Sequence, residues 1–149
     1  MRGGPPRRTV VLQGAAAIAL AAVGRAALGS ERAATTDAAG ERRWYEAALA
    51  MQRLAVANGA QPYGAVLVLD GAIVGNGPSR VVALGDATAH AEREAIRDAR
   101  RRLGRSNLAG SVLYSTAQPC PACEQAAAAA GVARMIHGAG LRDAGMPRP

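Results

Sequence analysis

The sequence predicts an α/β fold, a three-layer α-β-α sandwich around a mixed sheet. Three observations carry this. From Glu41 onward, helical and strand-like patterns alternate in the order α-β-β-α-β-α-β, which puts helices on both faces of a sheet. The runs Tyr63 to Leu69 (YGAVLVL) and Ala72 to Gly75 (AIVG), joined by Asp70-Gly71, read as a two-residue hairpin. Half of the 149 residues are hydrophobic but only 3% are aromatic and Phe is absent, so the core must be built mainly from Ala, Val, Leu and Ile. A chain of this length is one domain's worth.

Residues 1–29 are expected to be a leader outside the fold. Met1 to Arg8 is basic and rich in Gly and Pro, Val10 to Val23 is apolar and uncharged, and Ala27-Leu28-Gly29 is a small-x-small site before Ser30. That order is the order of a secretory signal peptide. Arg7-Arg8 followed by Thr9-Val10-Val11 resembles a twin-arginine signal, which implies a periplasmic or secreted protein. The alternative is a cytoplasmic protein whose first residues are an anchor or an upstream addition. The apolar run is too short and Ala-rich for a stable membrane span, which takes about 20 strongly apolar residues. Residues 30–40 read as a flexible polar linker and 41–149 as the folded domain.

Within the domain, Trp44, Ala48, Met51 and Ala55 recur at helical spacing over Glu41 to Ala57, with Tyr45, Leu49 and Val56 alongside, and Asn58-Gly59 closes the helix. The hairpin follows. Asn76 to Ala87, with Gly77, Pro78, Gly85 and Asp86, reads mostly as loop. A second helix is expected over His90 to Leu103, with Ile96, Ala99 and Leu103 inward, Arg100 to Arg102 outward, and Gly104 as its stop. Ser111 to Thr116 (SVLYST) reads as a strand, Cys120 to Ala130 as a helix entered through a proline, and Ala133 to His137 (ARMIH) as a final short strand. His137 is read as structural. No internal repeat is present.

The formal charge of +7 says little about nucleic acid. Four of the 18 arginines lie in the first 29 residues, which hold no acid, and the remainder leaves 14 Arg against 11 acids. All the basic residues are Arg and none is Lys, which fits a coding bias better than a phosphate-binding surface. The two cysteines, spaced C-x-x-C, are too few for a disulfide framework and fit a metal site or a redox pair.

Two fragments decide between these. They are Thr88-Ala89-His90-Ala91-Glu92 and Pro119-Cys120-Pro121-Ala122-Cys123, with Cys120 standing 30 residues after His90. The pattern H-x-E…P-C-x-x-C resembles the signature of zinc-dependent nucleobase deaminases. The resemblance makes His90, Cys120 and Cys123 candidate zinc ligands and Glu92 the candidate proton carrier. The chemistry fits these residue types. Catalytic zinc takes three protein ligands and keeps a fourth position open. One imidazole and two thiolates supply that set. Both fragments fall at expected helix starts, where the dipole and free N–H groups favour thiolates. Glu92, two residues from His90, can then move protons between the attacking water, a ring nitrogen and the leaving amine. Taken singly, a C-x-x-C on an exported protein could be a disulfide, a histidine at a helix start is usually a cap, and a first-turn Glu is usually a dipole partner. The combination outweighs them.

From Pro62 to Gly140 the chain resembles the cytidine deaminase-like superfamily, most of all the branch holding guanine deaminases, fungal-type cytosine deaminases and bacterial tRNA adenosine deaminases. The stretches that carry this are PYGAVLVLDGAIVGNG, DATAHAEREAIRDARRRLG and LAGSVLYSTAQPCPAC, then ARMIHGAG. The resemblance implies Zn²⁺, hydrolytic deamination of a small nucleobase or nucleoside, and a homodimer. It makes Ser79 and Ala91 candidate substrate contacts. Ser79 stands where the family usually places an Asn that grips base or ribose, Gln118 stands for an acid, Ala87 for a proline and Ala122 for a methionine. The chain runs 26 residues beyond Cys123, so the C-terminal elements are expected to be shortened.

Three further readings stay open. One is a tRNA adenosine deaminase, which export and the modest domain charge would oppose. Another is a catalytically degenerate zinc module of the same fold, which the retained Glu92 opposes. The last is a C-x-x-C redox protein, which leaves His90 and Glu92 unexplained.

Overall fold

In a computed structural model, the backbone is described from Gly24 and side chains from Ala39, both to Pro149. Most of the expected leader therefore lies outside the described residues. Residues 35–149 form one compact unit and carry the whole sheet.

The elements are α1 (Gly24–Ala57), β1 (Gly64–Leu69), β2 (Ala72–Pro78), α2 (Val81–Leu84), α3 (Ala91–Leu103), β3 (Val112–Ser115), α4 (Pro121–Ala130), β4 (Arg134–His137) and β5 (Arg142–Gly145). The five strands lie in the order β2-β1-β3-β4-β5. β3 and β4 are parallel, and the other neighbouring pairs are antiparallel. The sheet is mixed, as expected.

The three layers follow from period-two alternation along the strands. Ala65, Leu67, Leu113 and Met135 point to one face and pack with Ala91, Ala95, Ile96 and Ala99 of α3 and Ala127 and Ala130 of α4. Val66, Val68, Tyr114 and Ile136 point to the other face and meet Ala48 of α1, with Trp44 and Met51 beside it. Small side chains let the layers approach closely. A Cβ on Gly75 or Gly77 of β2 would run into the carbonyl oxygens of Ala95 and Ala91 of α3. The core without Phe is thus filled by close backbone approach rather than by large rings.

Asp70 and Gly71 both take positive φ, 50° and 73°, the geometry of a type I′ turn that matches the twist of β1 and β2. The pairing runs Leu69↔Ala72 to Gly64↔Pro78, with Val74 as the extra residue of a bulge.

Several expectations are corrected. The stretch 30–40, read as a linker, is helical within α1. Its alanines favour helix, and a single interior Gly40 costs only about 1 kcal/mol. Residues 76–78, read as loop, extend β2, and α2 occupies part of the remaining loop. Gly77 marks the contact with α3 there, not a turn. Leu103 is 37% exposed because the core cluster stops at Ala99, one turn earlier. Val56 is likewise exposed. β4 is not the last strand: β5, with exposed Arg142, Asp143 and Ala144, pairs through its backbone and has no apolar alternation to announce it.

Candidate active site

β2 and β3 each run antiparallel to β1, so they point the same way and their carboxyl ends share one edge of the sheet. The chain turns from β2 into α3 and from β3 into α4 at that edge. Crevices outside the carboxyl ends of such strands are the usual ligand positions in α/β sheets. His90 is the N-cap of α3 and Cys120 the N-cap of α4, both with extended backbone, and Pro121 opens α4 with its fixed φ. Fold and sequence therefore bring the two fragments together.

His90 Nδ1 lies 3.6 Å from Cys120 Sγ and 3.5 Å from Cys123 Sγ, and the two sulfurs are 3.3 Å apart. The cysteines are free, well beyond the S–S bond length of about 2.05 Å. Around a tetrahedral zinc with Zn–S near 2.3 Å and Zn–N near 2.0–2.1 Å, sulfur–nitrogen separations come to about 3.6 Å and sulfur–sulfur to about 3.8 Å. The two sulfur–nitrogen distances fit as they stand, and the sulfurs need to part by about 0.5 Å. Among the described residues this trio is the group of His, Cys or acidic side chains placed to hold a metal ion. Its set of one imidazole and two sulfurs suits zinc.

Glu92 stands beside the trio without belonging to it. Its side chain is 7% exposed, and its Oε2 accepts from Cys123 Sγ at 3.6 Å. Burial pushes the Glu92 carboxyl above the usual carboxylate range, offset in part by its own backbone N–H, by Cys123 and by His90. Cys123 is fully buried. Burial, and after it the neighbouring Glu92 carboxylate and the Cys120 sulfur, push its thiol far above the ordinary range. Burial thus opposes the pull of the helix start on the thiolate, and a cation between the sulfurs would favour the charged form.

A cavity of about 220 Å³ opens over these groups, lined by Gln61, Tyr63, His90, Ala91, Glu92, Ala117, Gln118 and Cys120. Ala91 is thus on the pocket wall as expected. Ser79 is not. It lies beside Tyr63, whose carbonyl accepts from the Ser79 N–H at 3.0 Å. Ser79 is 2% exposed and its hydroxyl makes no hydrogen bond. The wall residues missed from sequence are Gln61, Tyr63 and Ala117. Their signal was positional: Gln61-Pro62-Tyr63 enters β1, whose amino end lies between the carboxyl ends of β2 and β3. His137 is half-buried at the end of β4 and does not line the cavity.

Residues 39–139 match the family model described as the cytidine and deoxycytidylate deaminase zinc-binding region. The tRNA-specific adenosine deaminase of Buchnera aphidicola subsp. Schizaphis graminum (strain Sg) is 38% identical over 67% of this chain and 66% of its own length. The guanine deaminase of Bacillus subtilis (strain 168) is 48% identical over 42% of this chain and 40% of its own. A solved structure from work on A-to-I editing by tRNA:A34 deaminases superposes with a TM-score of 0.62 at 41% identity, over 64% of this chain and 70% of that one. The chain spans about two thirds or less of the length of these curated relatives.

Proposed function

The chain belongs to the cytidine and deoxycytidylate deaminase zinc-binding family, and from this premise we propose that it is a zinc-dependent hydrolase that removes the exocyclic amine of a nucleobase or nucleoside as ammonia. The observation that carries the reading is the meeting of His90, Cys120 and Cys123 within 3.6 Å of one another, with Glu92 beside them in a cavity. His90 Nδ1 and the two sulfurs would hold the ion. Zinc supplies an acidified water at neutral pH.

The remaining work falls to the chain's own groups. Glu92 takes a proton as the water oxygen attacks the amine-bearing carbon. It delivers that proton to the adjacent ring nitrogen. The second proton reaches the amine as the carbon–nitrogen bond breaks, leaving a carbonyl and ammonia. The raised Glu92 carboxyl suits a group that must both accept and donate a proton. Ala91 gives a flat apolar wall, Gln118 an amide that can pair with a base edge, and Tyr63 a ring at the mouth. The cavity, about 220 Å³, is below the about 300–1,000 Å³ of drug-sized sites, which suits one heterocyclic base.

The test is ammonia release by zinc-loaded protein from a panel of bases, nucleosides and tRNA. Release from any member supports the reading. Stoichiometric zinc with no release on the whole panel favours the degenerate zinc module instead. A tRNA adenosine substrate is the second reading, favoured by the 38% identity to a tRNA-specific adenosine deaminase. The same proposal places the protein in the periplasm or outside the cell by way of the Arg7-Arg8 leader, working as a homodimer. Among the described residues no helix is long and apolar enough to cross a membrane.

A further inference from the structure

His90 occupies a cap position without capping. An N-cap side chain usually bonds a first-turn N–H and so fixes the angle at which the chain enters the helix. His90 makes no such bond, because its Nδ1 faces the two sulfurs. A different tie must hold the chain that delivers it.

That tie comes from further along α3. Arg97, about two turns beyond His90, reaches back over the helix start. Its Nη2 donates to Thr88 Oγ1 at 3.0 Å, and its Nη1 donates to Glu94 Oε1 at 2.6 Å and lies 3.7 Å from Asp86 Oδ2. The turn it grips is already ordered. The Thr88 N–H donates to Asp86 Oδ1 at 2.8 Å, and the Ala89 N–H donates to the Asp86 carbonyl at 3.0 Å. The Arg80 N–H donates to the Ala89 carbonyl at 3.0 Å and closes the loop at its base. Glu94, 4% exposed, anchors the arrangement, with the Arg80 guanidinium 3.7 Å from its second oxygen.

We propose that Arg97 is a positioning residue for the metal site: it stands in for the missing cap by stapling the 86–88 turn to α3, and so holds the His90 imidazole against Cys120 and Cys123. It touches neither the sulfurs nor the cavity wall, and it reaches His90 only through Asp86 and Thr88 of the turn before it. The role needs arginine. A planar fork presents donors in several directions at once, whereas a lysine ammonium is a single centre that cannot span both Thr88 and Glu94. The inference rests on the reading of His90, Cys120 and Cys123 as zinc ligands.

The experiment compares zinc-loaded wild type with Arg97→Ala, Arg97→Lys and Thr88→Val, reading zinc release to a chelator and the thermal midpoint of each metal-free form. Arg134→Ala is the control. It breaks ion pairs to Glu41 (3.0 Å) and Asp143 (2.7 Å) at the far end of the sheet from His90. Partners beyond the ligands typically govern metal affinity by about 10–100-fold, so Arg97→Ala should release zinc at least about 10-fold faster. Arg97→Lys should fall between it and wild type. Thr88→Val, which removes an exposed hydroxyl from its bonds to Arg97 and Asp86, should shift release in the same direction. Arg134→Ala should lower the midpoint yet release zinc at the wild-type rate. The proposal is overturned if Arg97→Ala and Thr88→Val hold zinc as tightly as wild type, or if Arg134→Ala loosens it as much for the same loss of midpoint. A wild-type chain that holds no zinc overturns the ligand reading, and the staple with it.

Discussion

Cys123 Sγ stands 3.6 Å from Glu92 Oε2, so the buried sulfur of the candidate metal trio touches the group proposed to move protons. Both lie where burial disfavours ionisation; the Glu92 carboxylate adds to the cost of charging the thiol, whereas the thiol's hydrogen bond offsets part of the cost of charging the carboxyl. A cation between the sulfurs relieves both at once. The separate roles of the two groups can be read apart by substitution.

Glu92→Gln keeps the shape and removes the ionisable group. The variant should bind zinc stoichiometrically, because His90, Cys120 and Cys123 are untouched. Turnover should fall by ~10²–10⁴-fold, the usual loss for a general acid/base. Stability of the metal-free form should move the other way. The folded carboxyl is raised above its ordinary 4.5, so its favourable contribution is complete below that pH and is lost as pH rises through the folded value. The amide avoids that loss, so the metal-free variant should gain on wild type from about pH 4.5 upward. Turnover within tenfold of wild type would sink the proton-carrier role.

Removing a ligand should have the opposite pattern. His90→Ala and Cys120→Ser each leave two of three donors, too few for a catalytic zinc site. Metal analysis should show the ion gone from both, with activity lost alongside. Full occupancy in either variant removes that residue from the ligand set.

The candidate site was more legible in sequence than the fold around it, because its residues are chemically rare while strands and loops are written in common ones. His90, Glu92, Cys120 and Cys123 announce themselves by type and spacing. The Asp70-Gly71 turn was equally plain, since adjacent residues with positive φ leave few alternatives. Gly77 misled because glycine signals both turns and close contacts, and only the position of α3 distinguishes them. β5 was hidden because an edge strand held by backbone bonds needs no apolar pattern. Tyr63 and Gln61 entered the cavity through strand order, which no local pattern encodes.

Gly77→Ala tests the close approach that sets the position of α3. The added methyl would meet the carbonyl of Ala91, the first residue of the helix that follows His90, and Ala95 behind it. Backbone cannot swing aside as a side chain does. Overpacking of this kind costs about 1–3 kcal/mol, so the urea midpoint should fall with an unchanged slope. Zinc affinity should weaken too, because the helix start must move. A variant as stable as wild type would mean that α3 sits farther from β2 than described.

Export is testable through the leader itself. A twin-arginine receptor reads the arginine pair as an address, so charge alone does not replace it. Changing Arg7 and Arg8 together to Lys should strand a reporter fusion in the cytoplasm. Unchanged export points to a general secretory route, and a wild-type fusion found wholly inside ends the export proposal.

Zinc uptake should depend on pH with a sign set by Cys123. Its thiol is held above the ordinary value of 9.0 by burial first, then by the Glu92 carboxylate and Cys120. At neutral pH the metal-free chain therefore carries that proton, and binding must release it. One released proton strengthens apparent affinity about tenfold per pH unit, so the apparent Kd should fall by at least about 100-fold from pH 6 to pH 8. Stability of the metal-free form runs the other way. A group raised on folding contributes fully below its unfolded value and loses that contribution as pH rises through the folded one, so unfolding should become easier above about pH 9. Zinc-loaded protein, with the thiolate already formed, should not show that loss. Chelator competition across the pH range, with thermal midpoints of both forms, measures each half. A Kd that is flat from pH 6 to pH 8 would mean that Cys123 is already a thiolate in the metal-free chain, and that Glu92 and burial do not govern it.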